Sequence, residues 1–337
     1  MSHRPLVLLT GPMDPAGEAR IAAVAEVRLA ADTSAASLRR LVADADVLVV
    51  RSALPADLLD HAPRLRGIVR HGVGVDMIPV EAASARGIPV SNVPGSNRHA
   101  VAEHVIGAIQ ALRRGSVLMD QRLRRDGWEA ARMLADGARE LHGATLGLVG
   151  VGDIGRRVAE IAAFGYGMQV LGHQRRLDAL PSFVEGCELD ALCRRCDALV
   201  LTCPLTEATR GLIDARRLGL LKPGAVLVNV SRGAVLDEAA LVHALAAGQL
   251  HGAALDVFTT QPLPPGHPLL ALPNLLLSPH AAGLTAESMR RMSKGAADAV
   301  LCLLAGRRPP HCVNAAALPS SAMELPEPSS PQPAARP

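Results

Sequence analysis

The chain has 337 residues, 49% of them hydrophobic and 20% charged, which suits a globular protein of two domains with separate cores. Aromatic residues reach only 1%, so those cores must be built from Ala, Leu and Val, and stacking platforms for nucleotide bases are missing. A formal charge of +3 with no basic block argues against a nucleic-acid partner, and no run of about 18 uncharged apolar residues is present to span a membrane.

Short apolar runs at 5–10, 27–30, 46–50, 67–71 and 88–92 predict strands, and helix-like stretches at 34–43, 55–62 and 79–86 lie between them. The last two of these helices open with Pro, which suits a first helical turn. Val101, Val105, Ala108, Ile109 and Leu112 then recur at helical spacing and predict a long connecting helix. A second alternating block has strands at 145–149, 168–172, 197–202, 225–230, 252–257 and 274–278. A last helix over 286–304 precedes a Pro- and Ser-rich tail at 318–337, expected to be disordered. The β-α alternation predicts an α/β protein of two doubly wound, parallel-sheet domains.

The six cysteines include Cys193-Arg-Arg-Cys196, the spacing of half a zinc site or a redox pair. No second pair follows, so they are expected to be reduced structural thiols in a cytoplasmic protein without a metal. The start of the chain reads as a strand, not as a cleavable targeting segment.

Leu148-Val149-Gly150-Val151-Gly152-Asp153-Ile154-Gly155 sets G-x-G-x-x-G after a strand and at the start of a helix. That context predicts a dinucleotide site, because the glycines allow a tight turn and bring backbone N–H groups to a pyrophosphate. The following strand would end in Asp or Glu to hold the ribose hydroxyls of NAD. Here Gln174 stands at that place, followed by Arg175 and Arg176, which favours the 2′-phosphate of NADP, with NAD as the alternative if Asp178 folds back.

Further motifs are Gly72-Val73-Gly74-Val75-Asp76, Pro94-Gly95-Ser96-Asn97, Cys203-Pro204-Leu205-Thr206, Val228-Asn229-Val230-Ser231-Arg232-Gly233, Ala254-Leu255-Asp256-Val257-Phe258 and Ser278-Pro279-His280-Ala281-Ala282-Gly283. With these, the chain from about residue 5 to residue 314 resembles the D-isomer-specific 2-hydroxyacid dehydrogenase family. The resemblance implies a flavodoxin-like substrate domain (1–98 and 284–317) with a Rossmann nucleotide-binding domain (99–283) inserted, ligands in the cleft, and a homodimer. It implies that Arg232 holds the carboxylate of a small 2-keto or 2-hydroxy acid and that His280 is the acid-base. Val73 and Gly74 would supply a second carboxylate clamp, with Arg51 and Asn97 also near the substrate. Cys203, Pro204, Thr209, Val230, Asp256 and Gly283 would lie along the cofactor.

One position departs from the family pattern: Gln261 replaces the Glu that normally pairs with the histidine. Its amide can orient the imidazole but carries no charge to keep it protonated. Gln174 with Arg175 is similar to NADPH-dependent glyoxylate and hydroxypyruvate reductases, the preferred reading. Arg51-Ser52 and the stretch from Arg70 to Asp76 are similar to 3-phosphoglycerate dehydrogenases, the runner-up. A formate dehydrogenase-like enzyme and a nucleotide-sensing corepressor remain as further alternatives.

Overall fold

The computed structural model describes residues 4–318. The chain divides into two compact units, one joining the chain up to Asn97 with the chain from Thr285 onward, the other being Arg98–Leu284. The expected tail lies outside the described residues from 319 onward, and Leu318 is buried.

The first unit begins with β1 (Leu6–Leu9), α1 (Pro15–Ala22), β2 (Glu26–Leu29), α2 (Ala35–Val42), β3 (Val47–Val50), β4 (Gly67–Arg70), α3 (Val80–Ala85) and β5 (Val90–Ser91). Its strands pair in parallel in the order β2-β1-β3-β4-β5, the flavodoxin-like order. Both faces are covered, which is why the strands read as unbroken apolar runs. Leu8, Leu48 and Val50 join one core, whereas Val7, Leu9, Val47 and Val49 join the core on the opposite face.

Two elements differ from expectation. The helix predicted over 55–62 is a 3-10 turn, Leu58–His61. Ala62 precedes Pro63, whose ring disfavours helical backbone at the preceding residue, and Ala62 leaves the helix at φ −118° and ψ 60°. Conversely, α1 has no strong apolar period, since only Gly17 and Ile21 are buried. Its signal was the cap: Asp14 accepts the Ala16 N–H, and Pro15 occupies the first turn.

The second unit runs through α4 (Arg98–Arg114), α5 (Ser116–Asp126), α6 (Trp128–Arg132), β6 (Thr145–Val149), α7 (Asp153–Glu160), β7 (Gln169–His173), β8 (Glu185–Gly186), α8 (Leu189–Arg195), β9 (Ala198–Leu201), α9 (Ala215–Leu218), β10 (Val226–Asn229), α10 (Glu238–Ala246), β11 (Gly252–Leu255) and β12 (Leu275–Leu277). Its seven parallel strands lie in the order β12-β11-β10-β9-β6-β7-β8. Counted from β6, this is the Rossmann order with one more strand at the far edge. The short β8 and the helices α5 and α6 carry too little apolar patterning to be foreseen, and α5 buries no residue at all.

The chain then returns to the first unit through α11 (Ala286–Leu304), opened by a capping box between Thr285 and Ser288. Met292, Ala296, Val300 and Leu303 form its buried stripe. Leu303 fills the space a side chain at Gly67 would need, so α11 lies directly on β4. Each Leu or Val so buried stabilises the fold by about 1.5–3 kcal/mol.

Candidate active site

At the end of β6, the three glycines have three different reasons. Gly150 has φ +93°, and a Cβ there would stand 2.8 Å from the Cys203 backbone. A Cβ on Gly155 would run into the Gly150 carbonyl oxygen, so α7 can meet the turn only through a bare backbone. Gly152 has open space around it and ordinary backbone (φ −80°), and its freedom serves no contact among the described residues. That gap lies at the N-terminus of α7, which Asp153 and Ile154 begin. A bare backbone facing open space at a helix N-terminus fits a pyrophosphate, so the residues present suit a dinucleotide. Thr202, which sequence reasoning missed, donates its hydroxyl to the Gly150 carbonyl at 2.6 Å. The hydroxyl of Thr209 is spent on its own loop, donating to the Pro204 carbonyl at 2.7 Å and accepting from the Thr206 N–H at 2.8 Å.

Past β7, the Gln174 amide donates to the Arg176 carbonyl at 2.8 Å. Arg175 and Arg176 are exposed, and their guanidinium groups make no hydrogen bond or ion pair among the described residues. Asp178 lies exposed in the first turn of a 3-10 helix, Leu177–Ala179.

The ends of β10 and β11 shape the remaining residues. Fully buried Asn229 accepts from the Ser231 N–H (3.0 Å) and Oγ (3.1 Å) and donates to the Arg232 carbonyl (3.1 Å). This holds Arg232 in extended backbone, with its Nη1 on the Ser231 carbonyl at 2.6 Å. Gly233 is pressed onto the backbone of Phe258 and Thr259, where no Cβ fits, so the loop of Arg232 and the loop of Gln261 are locked together. Val230 follows β10 and is half-buried.

His280 sits in the left-handed region at φ 55°, uncommon outside glycine. Asp256 holds it there. Its backbone carbonyl accepts the His280 N–H at 2.8 Å. Its buried carboxylate takes the Ser278 hydroxyl (2.6 Å) and the N–H groups of Ala281 (2.7 Å) and Ala282 (3.0 Å). Gly283 follows, half-buried. His280 Nδ1 lies 3.1 Å from Gln261 Oε1, and Gln261 Nε2 donates to the Phe258 carbonyl at 3.2 Å. With its NH2 group so occupied, the amide offers the ring only an acceptor. Facing that oxygen, Nδ1 carries the proton in the neutral ring.

In the first unit, Arg51 is half-buried at the end of β3 and donates to the Pro12 carbonyl. Asn97 Oδ1 is buried without a hydrogen-bond partner among the described residues. Val73 and Gly74 follow β4 in a half-buried turn. Beneath them, burial and then the neighbouring Arg51 and Arg70 cations push the pKa of His71 down to about 4.

Cys193 and Cys196 are both buried, and burial pushes their thiols up, Cys193 to about 11, which suits packing and not redox exchange. Among the described residues no cluster of His, Cys, Asp and Glu could hold a metal, and no helix is long and apolar enough to cross a membrane.

The family model for the NAD-binding domain of D-isomer-specific 2-hydroxyacid dehydrogenases matches residues 106–282. A glyoxylate reductase of Aeropyrum pernix is 42% identical over 282 residues, covering 81% of this chain and 83% of that protein. A D-3-phosphoglycerate dehydrogenase of Mycobacterium bovis is 38% identical over 92% of this chain, which spans only 59% of that relative's length. Among solved structures, an NADPH-dependent glyoxylate/hydroxypyruvate reductase from Sinorhizobium meliloti, in complex with NADP and malonate, superposes with a TM-score of 0.79. It is 32% identical, with 91% of this chain and 96% of that chain covered. The chain belongs to the D-isomer-specific 2-hydroxyacid dehydrogenase family. It is a nicotinamide-dependent oxidoreductase that acts on a CH–OH donor of a small 2-hydroxy acid, or on the matching keto acid.

Proposed function

We propose that the protein is an NADPH-preferring reductase of glyoxylate, hydroxypyruvate or a similarly small 2-keto acid, working in the cytoplasm as a homodimer. The observation that supports the reading is the His280–Gln261 pair, in which Nδ1 stands 3.1 Å from an amide oxygen; Nε2 is then assigned to the substrate. When bound, the nicotinamide cofactor supplies the hydride in reduction and accepts it in oxidation. Protonated His280 gives its Nε2 proton to the substrate oxygen as negative charge grows there, and neutral His280 takes it back in the reverse direction. Arg232, a fixed cation with a planar fork, holds the carboxylate and polarises the carbonyl. Arg51, Val73, Gly74 and Asn97 are assigned to recognition of the acid.

The cofactor would be held by Gly150, Gly152, Asp153, Ile154 and Gly155 at its pyrophosphate, and along its length by Cys203, Pro204, Thr209, Val230, Asp256 and Gly283. Gln174, Arg175 and Arg176 would receive the 2′-phosphate; the two exposed guanidinium groups there have no other partner among the described residues. Six unpaired cysteines support a reducing compartment.

The test is oxidation of NADPH and of NADH with glyoxylate, hydroxypyruvate and phosphohydroxypyruvate. The highest kcat/KM is expected for NADPH with one of the first two. A preference for phosphohydroxypyruvate would move the assignment to a phosphoglycerate dehydrogenase, and inactivity toward every keto acid would overturn it.

A further inference from the structure

The turn after β4 has an unusual hydrogen-bond ledger. Four successive carbonyls are all occupied: Gly72 O accepts the Val93 N–H (2.8 Å), Val73 O the Asn92 side-chain amide (2.7 Å), Gly74 O the Arg70 Nε (3.0 Å) and Val75 O the Ile78 N–H (2.9 Å). The N–H groups of Val73 and Gly74 have no acceptor among the described residues, although both residues are half-buried. Backbone N–H groups without a protein partner are open to a ligand, and successive amides turned to one side form an anion-binding nest.

Arg70 reaches further than one carbonyl. Its Nη1 also binds the carbonyls of Val50 (2.8 Å) and His71 (3.0 Å), which ties the turn to the end of β3. Gly72, at φ +147°, makes room for this: a Cβ there would stand 3.1 Å from the Arg70 guanidinium carbon. The base of the turn is pinned by His71, whose Nε2 lies 2.8 Å from Ser293 Oγ on α11.

We propose that Arg70 and Asn92 are positioning residues for substrate recognition. They draw the carbonyls of this turn to one side, and so hold the Val73 and Gly74 amides ready for a carboxylate. The inference rests on reading the protein as a keto-acid reductase, but it concerns how the acid group is held and not which acid is reduced.

The experiment compares the unmodified holoenzyme with Asn92→Leu and Arg70→Lys. Asn92→Leu keeps the branching and the heavy-atom count of the side chain and removes the donor to Val73. Arg70→Lys keeps the charge and loses the fork. For each, the KM for glyoxylate, kcat, NADPH affinity and the Kd of oxalate, a non-reducible carboxylate probe, are measured. For Asn92→Leu we expect KM and the oxalate Kd to rise together by about tenfold, the factor that ~1.4 kcal/mol of lost preorganisation would give, with kcat and NADPH affinity changing less than about twofold. Arg70→Lys should move the same two constants in the same direction. Unchanged oxalate binding in a folded Asn92→Leu enzyme would overturn the proposal, as would equal losses in NADPH affinity, the mark of general damage. Failure of the unmodified enzyme to bind oxalate would overturn it too. Should glyoxylate not be reduced while oxalate binding still depends on Asn92, the substrate assignment falls and the positioning role stands.

Discussion

The turn at 150–155 and the turn at 174–176 end neighbouring strands, β6 and β7, yet they are specified in opposite ways. In the first, backbone meets backbone: Gly150 against Cys203 and Gly155 against Gly150. In the second, Arg175 and Arg176 are exposed with no partner for either guanidinium among the described residues, and Gln174 bonds to its own turn. Steric necessity writes itself into a sequence as glycine, whereas chemical preference is written in exposed side chains that the fold itself does not require. The two kinds of site should therefore fail differently.

The largest effect is expected at the first turn. Gly155→Val drives a side chain into the Gly150 carbonyl, and overpacking of this kind costs about 1–3 kcal/mol of stability. NADPH affinity should fall with it by a hundredfold or more, ~2.7 kcal/mol. Gly152→Ala is the sharper companion, because nothing lies within 4 Å of its Cβ and its φ of −80° suits alanine. Its Tm should stay at the unmodified value while NADPH affinity still drops. If Gly152→Ala binds NADPH normally, the open space at the helix N-terminus does not receive the cofactor.

The second turn should show the reverse pattern. Replacing Arg175 and Arg176 together with Gln leaves the fold untouched, since neither side chain has a partner among the described residues. The expected result is an unchanged Tm and NADPH binding weakened by about 10- to 100-fold relative to NADH, from charged hydrogen bonds worth ~1.5–3 kcal/mol. Equal losses for both cofactors, or tighter NADH binding in the unmodified enzyme, would remove the case for NADP.

The same division explains what could be read in advance. The parallel sheets announced themselves through runs such as Val47-Leu48-Val49-Val50, because strands buried on both faces have nowhere to put a polar residue. The final helix was legible to its ends from its apolar stripe. Helices α5 and α6 were not, because α5 buries nothing and leaves no period. At the candidate site, motifs pointed to Arg232, Gln261 and His280, and the structure brings the last two into contact. The residues that shape their loops were harder to see, since Asn229 and Thr202 act on backbone carbonyls and Ser278 on the Asp256 carboxylate, pairings that a sequence does not display. The available signal was a polar side chain ending an apolar strand, as Asn229 does in Val226-Leu227-Val228-Asn229.

Gln261 offers the finest test, because there side-chain chemistry alone is changed inside a loop whose backbone is fixed. Asp256 holds the His280 backbone, and Gly233 holds the backbone of Phe258 and Thr259, so Gln261→Glu leaves the geometry in place and adds one negative charge near Nδ1. On the proposed mechanism, reduction requires protonated His280, which delivers a proton to the developing alkoxide. A neighbouring carboxylate favours the imidazolium and raises the pKa of the ring. The alkaline limb of kcat/KM for keto-acid reduction should therefore move to higher pH, on the order of one unit at most, since both side chains are exposed and water screens the charge. In the oxidative direction the ring must begin neutral, so the acidic limb should move upward by a similar amount and activity near neutral pH should fall. The added Glu has a second consequence: losing the amide NH2 breaks the bond to the Phe258 carbonyl, which costs about 0.5–1.5 kcal/mol and should lower Tm slightly. A lowered Tm with both limbs unmoved would mean that the carboxylate has turned away from His280. Unmoved limbs with an unchanged Tm would mean that Gln261 does not contact the imidazole in solution, and the proton-transfer assignment to Nε2 would lose its support.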